Sequence, residues 1–290
     1  MYAYGRLYDT PEASVNSTRT AHFIQPHKPM TNLERWRFYF KDCTSPDSYI
    51  DMGFYSLISS CLQRRVWIGD EQQPLFPNQY IILVGGPGIG KGMVIKQVIQ
   101  YIKFHKAVSA DQHVKAVDIS DLALNDIMGK AVNPDADLLF PITPNSCTFE
   151  SLVREMSNTL RVLPIRMRMP DNSTKDFKYA HKSLAFVLEE LGSLLSKNKE
   201  TVVNFLLQAF DCGDYDYVTK HQGKDLLRKI CLNMFGGTTP GFMRDAFNDK
   251  IVNEGFSGRT IFVFEYANRF NRFGSATFNE EQLVARRELL

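Results

Sequence analysis

The rhythm of apolar positions changes near residue 80. Before it, TNLERWRFYF and SYIDMGFYSLISSCLQRRVW carry apolar residues at the three- and four-residue spacing of helices. This predicts a small N-terminal helical region over 31–75, with Asp47 or Ser48 as an N-cap. Residues 1–30 are polar, broken by Pro11, Pro26 and Pro29, and are expected to form a flexible arm. QQPLFPNQ, with two prolines, joins the helical region to the rest of the chain.

From Tyr80 the pattern is that of strands buried on both faces, alternating with amphipathic helices. YIILV is a short continuous β-branched run, and GMVIKQVIQYIKFHKAV after it has helical spacing. VKAVDIS predicts a second strand. NSCTFESLVREMSNTL predicts a helix capped by Ser146 or Thr148. RVLPIRMRM and KDFKYAHKS flank the turn-like PDNST and predict a β-hairpin or extended insertion. LAFVL is a buried-type strand, TVVNFLLQAF a helix, and LLRKICLNMF a strand ending in the loop GGTTPG. FMRDAFND is a short helix behind Pro240, and TIFVFEY a last strand. Apolar strands alternating with helices predict an α/β fold, a mainly parallel sheet flanked by helices. The core is expected over 76–275, with a helix or tail over 276–290. NEEQLVARRELL reads as an unfinished helix, so the chain is also read as a piece of a longer protein.

The first element with chemistry lies between YIILV and its helix. Gly85, Gly86, Pro87, Gly88, Ile89, Gly90 and Lys91 match the phosphate-loop pattern G-x-x-x-x-G-K. Glycines let successive backbone N–H groups turn toward phosphate oxygens, and the helix N-terminus adds a favourable dipole. Lys91 is positioned to reach the terminal phosphates, and Gly92 and Met93 complete the nucleotide-binding stretch. The pattern calls for a hydroxyl at position 92, the usual Mg²⁺ ligand, and glycine cannot supply it. Water or another side chain, Thr148 among them, is then expected to fill that role.

Downstream, LAFVL runs into Glu189 and Glu190. An apolar strand ending in two acids has the shape of a Walker B motif, with Glu189 for the metal and Glu190 as the base that polarises water. In NMFGGTTPG, Asn233, Thr238 or Thr239 can sense the terminal phosphate, while Thr239 and Pro240 also suit a helix start. GFSGR offers Arg259 as an arginine finger supplied across a subunit interface, with Arg244 and Arg269 as competitors. DYDYVTKHQGKDLLRK offers Tyr215, Tyr217, Lys220, His221 and Lys224 as a hairpin for DNA, by charge and stacking. The basic 161–182 insertion is a second candidate for the same task.

Composition narrows the partners little. The net charge is +2, so any nucleic-acid contact must be local. The five cysteines are scattered and read as reduced thiols, and the six histidines show no zinc spacing. No apolar run approaches a membrane span and the N-terminus lacks a secretory apolar core, so a cytoplasmic protein is expected.

Taken in order, LFPNQYIILVGGPGIGKG, NSCTFESLVREM, LAFVLEELGSLL, LNMFGGTTPGFM and EGFSGRTIFVFE resemble the helicase-type P-loop ATPase module of phage and plasmid primase–helicase proteins, over roughly 45–270. The resemblance implies a P-loop NTPase fold and an ATP- and Mg²⁺-dependent replicative helicase on single-stranded DNA. It implies a homo-oligomeric ring, a hexamer being one arrangement, with a primase or other replication proteins as partners. Lys91 takes the loop lysine position, Glu189 and Glu190 the acidic motif, Thr238 a sensor and Arg259 a finger. Gly92 and the glutamate in place of the usual aspartate depart from the pattern. The rival expectations are a DNA-packaging or remodelling ATPase, and a slowly hydrolysing nucleotide-binding loader or scaffold.

Overall fold

The structure is a computed structural model that describes residues 30–70, 73–111, 141–143, 148–195, 199–219, 223–247, 255–270 and 277–289. YIILV forms β1 (Tyr80–Val84), buried at every position. Tyr80, Ile82 and Val84 join one apolar cluster, and Ile81 and Leu83 join another. Both faces of the strand are covered, which is why the run has no polar alternation.

Around β1 lie β2 (Leu160–Arg168), β3 (Thr174–Leu188), β6 (Ile230–Thr238) and β7 (Thr260–Phe264), in the order β2-β3-β6-β1-β7. β6 and β7 flank β1 in parallel, and β3 runs parallel to β6. Only β2 is antiparallel, paired with the first half of β3. Residues 141–143 run beside the second half of β3, with Ile142 bridged in parallel to Ala185. A separate hairpin joins β4 (Tyr215–Thr219) to β5 (Gly223–Leu227). The chain is thus α/β, with a mostly parallel central sheet flanked by helices. The predicted strand VKAVDIS lies outside the described residues.

One face of the sheet is covered by α1 (Asn32–Tyr39), α2 (Asp47–Leu62), α3 (Lys91–Asp111) and α8 (Glu280–Arg287). Trp36, Tyr39, Ile50, Leu57, Val94, Val98 and Leu289 meet Ile81, Leu83, Val187 and Phe235 there. The N-terminal helical region and the C-terminal helix therefore share one apolar cluster with α3 and the sheet. The other face is covered by α4 (Phe149–Asn158), α5 (Leu191–Leu195), α6 (Lys199–Phe210) and α7 (Pro240–Phe247). Among the described residues, no helix is long and apolar enough to cross a membrane.

Several elements differ from the sequence reading. GGT is not a loop: Gly236, Gly237 and Thr238 are the last residues of β6. A Cβ at Gly236 would lie 2.7 Å from Leu188 Cγ and 2.8 Å from its carbonyl, so β3 and β6 approach this closely only with glycine there. LLRKICLNMF is two strands, because Lys229 turns the chain at φ 51° and its N–H is held by Asp214 at 2.8 Å. KDFKYAHKS and LAFVL are instead one strand of 15 residues. Neither Asp47 nor Ser48 caps α2, whose N-cap is Pro46. Asp47 pairs with Arg269 and Ser48 donates to Glu265, so both side chains serve tertiary contacts.

Candidate nucleotide site at the sheet edge

Parallel strands end on the same side. Val84, Thr238 and Phe264 are level in register, and β3 ends beside Gly236, two residues earlier in β6. The glycine loop, the two glutamates and Thr238 are therefore gathered on one edge by topology alone.

The loop is braced from below. Gly85 N–H donates to the Thr238 carbonyl at 3.2 Å, and Glu265 N–H donates to the Val84 carbonyl at 3.1 Å. Tyr49 Oη donates to that same Val84 carbonyl at 2.7 Å, and Ser45 Oγ donates to the Gly90 carbonyl at 3.0 Å. Gly90 has φ +90°, and a Cβ there would meet Ser45 Oγ at 2.5 Å and its Cα at 2.9 Å. Glycine is needed at this position twice over, for backbone angle and for space. Ile89 and Met93 pack into the cluster beneath, while Pro87 and Gly88 are exposed. Sequence reasoning misses Ser45 and Tyr49, because no local spacing links them to the loop.

Lys91 opens α3, whose first-turn N–H groups have no partner within the helix. Its ammonium donates to the carbonyls of Gly85 at 2.5 Å and Gly86 at 2.9 Å. Partial burial lowers its pKa, and the charge of Glu190 acts in the opposite direction. Thr238 Oγ1, fully buried, donates to Glu190 Oε1 at 3.3 Å. Lys91, Glu190 and Thr238 are thus brought together. Gly237 makes room for this: a Cβ on it would lie 3.1 Å from the Glu189 carbonyl and 3.6 Å from Lys91 Cδ.

Glu189 is exposed, with no hydrogen bond or ion pair among the described residues. Gly92 is exposed too, and a Cβ on it meets nothing within 4 Å. Among the described residues no group of three or more His, Cys, Asp or Glu is placed to hold a metal ion. Glu189 and Glu190, consecutive in sequence after β3, are the acids at this edge that would hold Mg²⁺, which keeps several waters and takes few protein ligands.

Other residues singled out in the sequence lie elsewhere. Asn233 is no phosphate sensor: it faces Ser59 and the Gln79 N–H at 2.7 and 3.0 Å, near the start of β1. Thr239 caps α7 through Phe242 N–H at 3.3 Å, and Thr148 caps α4 through Ser151 N–H at 3.3 Å. Tyr215 and Tyr217 are half-buried and rest on Phe205 and Phe149, with ring centroids at 4.9 and 5.3 Å. Lys220 and His221 lie outside the described residues, and Lys224 sits in β5 opposite Val218. Arg259 precedes β7 at the far edge of the sheet, one strand length of roughly 16 Å from the loop. There it pairs with Asp211 at 3.2 Å. Arg269 is held by Asp47 and the Phe40 carbonyl at 3.2 Å each, and Arg244 is exposed in α7.

Comparison with protein-family models gives no match, and comparison with curated proteins gives none either.

Proposed function

We propose that the chain is a P-loop ATPase that binds ATP at Gly85–Met93 and couples its hydrolysis to movement on single-stranded DNA. The observation that carries this reading is the meeting of Lys91, Glu190 and Thr238 at the edge where the glycine loop emerges. A lysine at a helix N-terminus, ringed by glycines, suits the terminal phosphates of a nucleotide. On binding, Lys91 exchanges the Gly85 and Gly86 carbonyls for phosphate oxygens. Glu190, oriented by Thr238, is the group that accepts a proton from water. Glu189 would hold Mg²⁺, which supplies neutralisation of phosphate charge.

Arg259 cannot reach its own loop, so a role for it in hydrolysis requires a neighbouring subunit. This favours the homo-oligomeric form of the reading, in which each site is completed across an interface. Steady-state ATP hydrolysis with and without single-stranded DNA tests the proposal: stimulation by DNA supports it, and no hydrolysis above background under either condition overturns it. One observation favours a second reading, a slowly hydrolysing loader: position 92 presents no hydroxyl for a metal.

A further inference from the structure

The sequence offered two arms for DNA, and the structure separates them. In the β4–β5 hairpin, Lys220 and His221 lie outside the described residues. Its half-buried tyrosines rest on Phe205 and Phe149, and Arg228 is taken by Asp216 at 2.5 Å and Asp214 at 3.6 Å. The β2–β3 ribbon differs in both respects. Along β3, Thr174–Lys178 are exposed, Tyr179 and Ala180 half-buried, and the rest buried. About 17 Å of ribbon therefore projects from the sheet, on the edge opposite the glycine loop.

The base of the ribbon is fixed. Arg64 Nε donates to Tyr179 Oη at 2.9 Å, Lys229 lies 4.3 Å from the Tyr179 ring, and Lys182 donates to the Ser157 carbonyl. The tip is closed by a tight turn, with Asn172 at φ 63° and Asp171 bound to Ser173. Between them, Phe177 is 42% exposed and makes no ring contact among the described residues. Lys175, two residues away on the same face, and Arg168, on the opposite face beside the tip, are exposed and form no ion pair among the described residues.

Charge identifies the occupant. Residues 160–182 hold six basic and two acidic side chains, net +4, in a chain whose total is +2. One of the acids, Asp176, is already bound by Arg166 at 2.8 Å. Arg161 and Lys182 are buried at the base, so the projecting part carries four basic and two acidic side chains, net +2, while the rest of the chain outside 160–182 is slightly acidic. An open aromatic ring beside an uncommitted cation on its own face, with a second cation at the tip, is an arrangement that stacks a base and holds its phosphates. A second ribbon would be repelled by the same charge.

The geometry points to the β2–β3 ribbon as the element that grips single-stranded DNA, with Phe177 and Lys175 on one face and Arg168 at the tip on the other. This rests on the reading of the chain as an ATPase acting on single-stranded DNA. It adds a physical link, because the ribbon and the glutamates lie on one strand: β3 runs from Thr174 to Leu188 and delivers Glu189 and Glu190.

The test is fluorescence anisotropy of a fluorescein-labelled oligothymidylate titrated with the full chain and its variants over a range of salt. Phe177→Ala is expected to weaken binding roughly tenfold with an unchanged salt slope, and Phe177→Tyr to restore it. Arg168→Gln with Lys175→Gln is expected to reduce the salt slope by roughly 1.4. All three positions are exposed, so the thermal midpoints should match wild type. If wild type binds and the variants bind equally well, the ribbon assignment is overturned while the motor reading stands. If wild type does not bind, the DNA reading falls and the assignment with it. Loss of self-association in Phe177→Ala, with DNA binding intact, would give the face to a second copy and also overturn the assignment.

Discussion

Thr238 Oγ1 donates to Glu190 Oε1 at 3.3 Å, across the two strands that end at the loop. A hydroxyl that orients a carboxylate should act on turnover more than on binding. Thr238→Val keeps the shape of the buried side chain and removes the donor. It should lower kcat about 10- to 100-fold, the value of one hydrogen bond to a charged group, with little change in KM. Thr238→Ser should retain activity. Steady-state kinetics on both variants checks this, and equal losses in the two would assign Thr238 to packing.

Two glycines of the loop, two residues apart, should respond in opposite ways. Gly90→Ala forces a side chain into positive φ and against Ser45, at a cost of about 2–4 kcal/mol in stability. Gly92→Ser enters open space at the start of α3 and should leave the fold intact. By adding the hydroxyl that the phosphate-loop pattern calls for, it should lower the Mg²⁺ concentration needed for half-maximal hydrolysis. Thermal melts and a Mg²⁺ titration distinguish the two, and an unchanged Mg²⁺ requirement would mean that the metal is already fully held.

Acid stability should depend on His181. Burial, with the charges of Arg161, Arg64, Arg65 and Lys229, pushes this imidazole down to about 3, and its Nδ1 lies 2.7 Å from Ser183 Oγ. The native state keeps it neutral, while the unfolded chain takes up a proton near the ordinary value of 6.5. Stability is then fully present above that value and falls as pH drops toward 3, by about 1.4 kcal/mol per unit for this group. His181→Gln should lose less of its thermal midpoint between about pH 6.5 and about pH 4 than wild type does. An identical acid limb would contradict this.

If Arg259 serves a neighbour's nucleotide, subunits lacking it can be rescued. Arg259→Ala and Lys91→Ala should each abolish hydrolysis, the former by roughly a thousandfold. A mixture of the two variants should regain part of the rate, because a mixed interface joins an intact loop to an intact arginine. No recovery on mixing would remove Arg259 from the site.

The strands nearest the loop were readable in the sequence because their chemistry is local. YIILV is apolar throughout because both its faces are covered, and Pro240 marks the start of α7. What was not readable depends on contacts between distant segments. Gly236 and Gly237 look like a loop until Leu188 and Glu189 are seen pressed against them. Tyr215 and Tyr217 look fully open until they are seen resting on Phe205 and Phe149. Asn233 looks like a sensor until Ser59 and Gln79 claim its side chain. Ser45 and Tyr49 carry no motif, yet they hold the Gly90 and Val84 carbonyls beneath the loop.

The central claim is that ATP binds at the Gly85–Gly92 loop through Lys91. Titration of a fluorescent ATP analogue with Mg²⁺ into wild type and Lys91→Ala tests it most directly, with thermal melts to show that both are folded. Saturable binding by wild type, weakened at least about tenfold in Lys91→Ala, is the predicted result, since each lost factor of ten is only ~1.4 kcal/mol of phosphate contact. Equal affinity in the two proteins, or no binding to either, would contradict it.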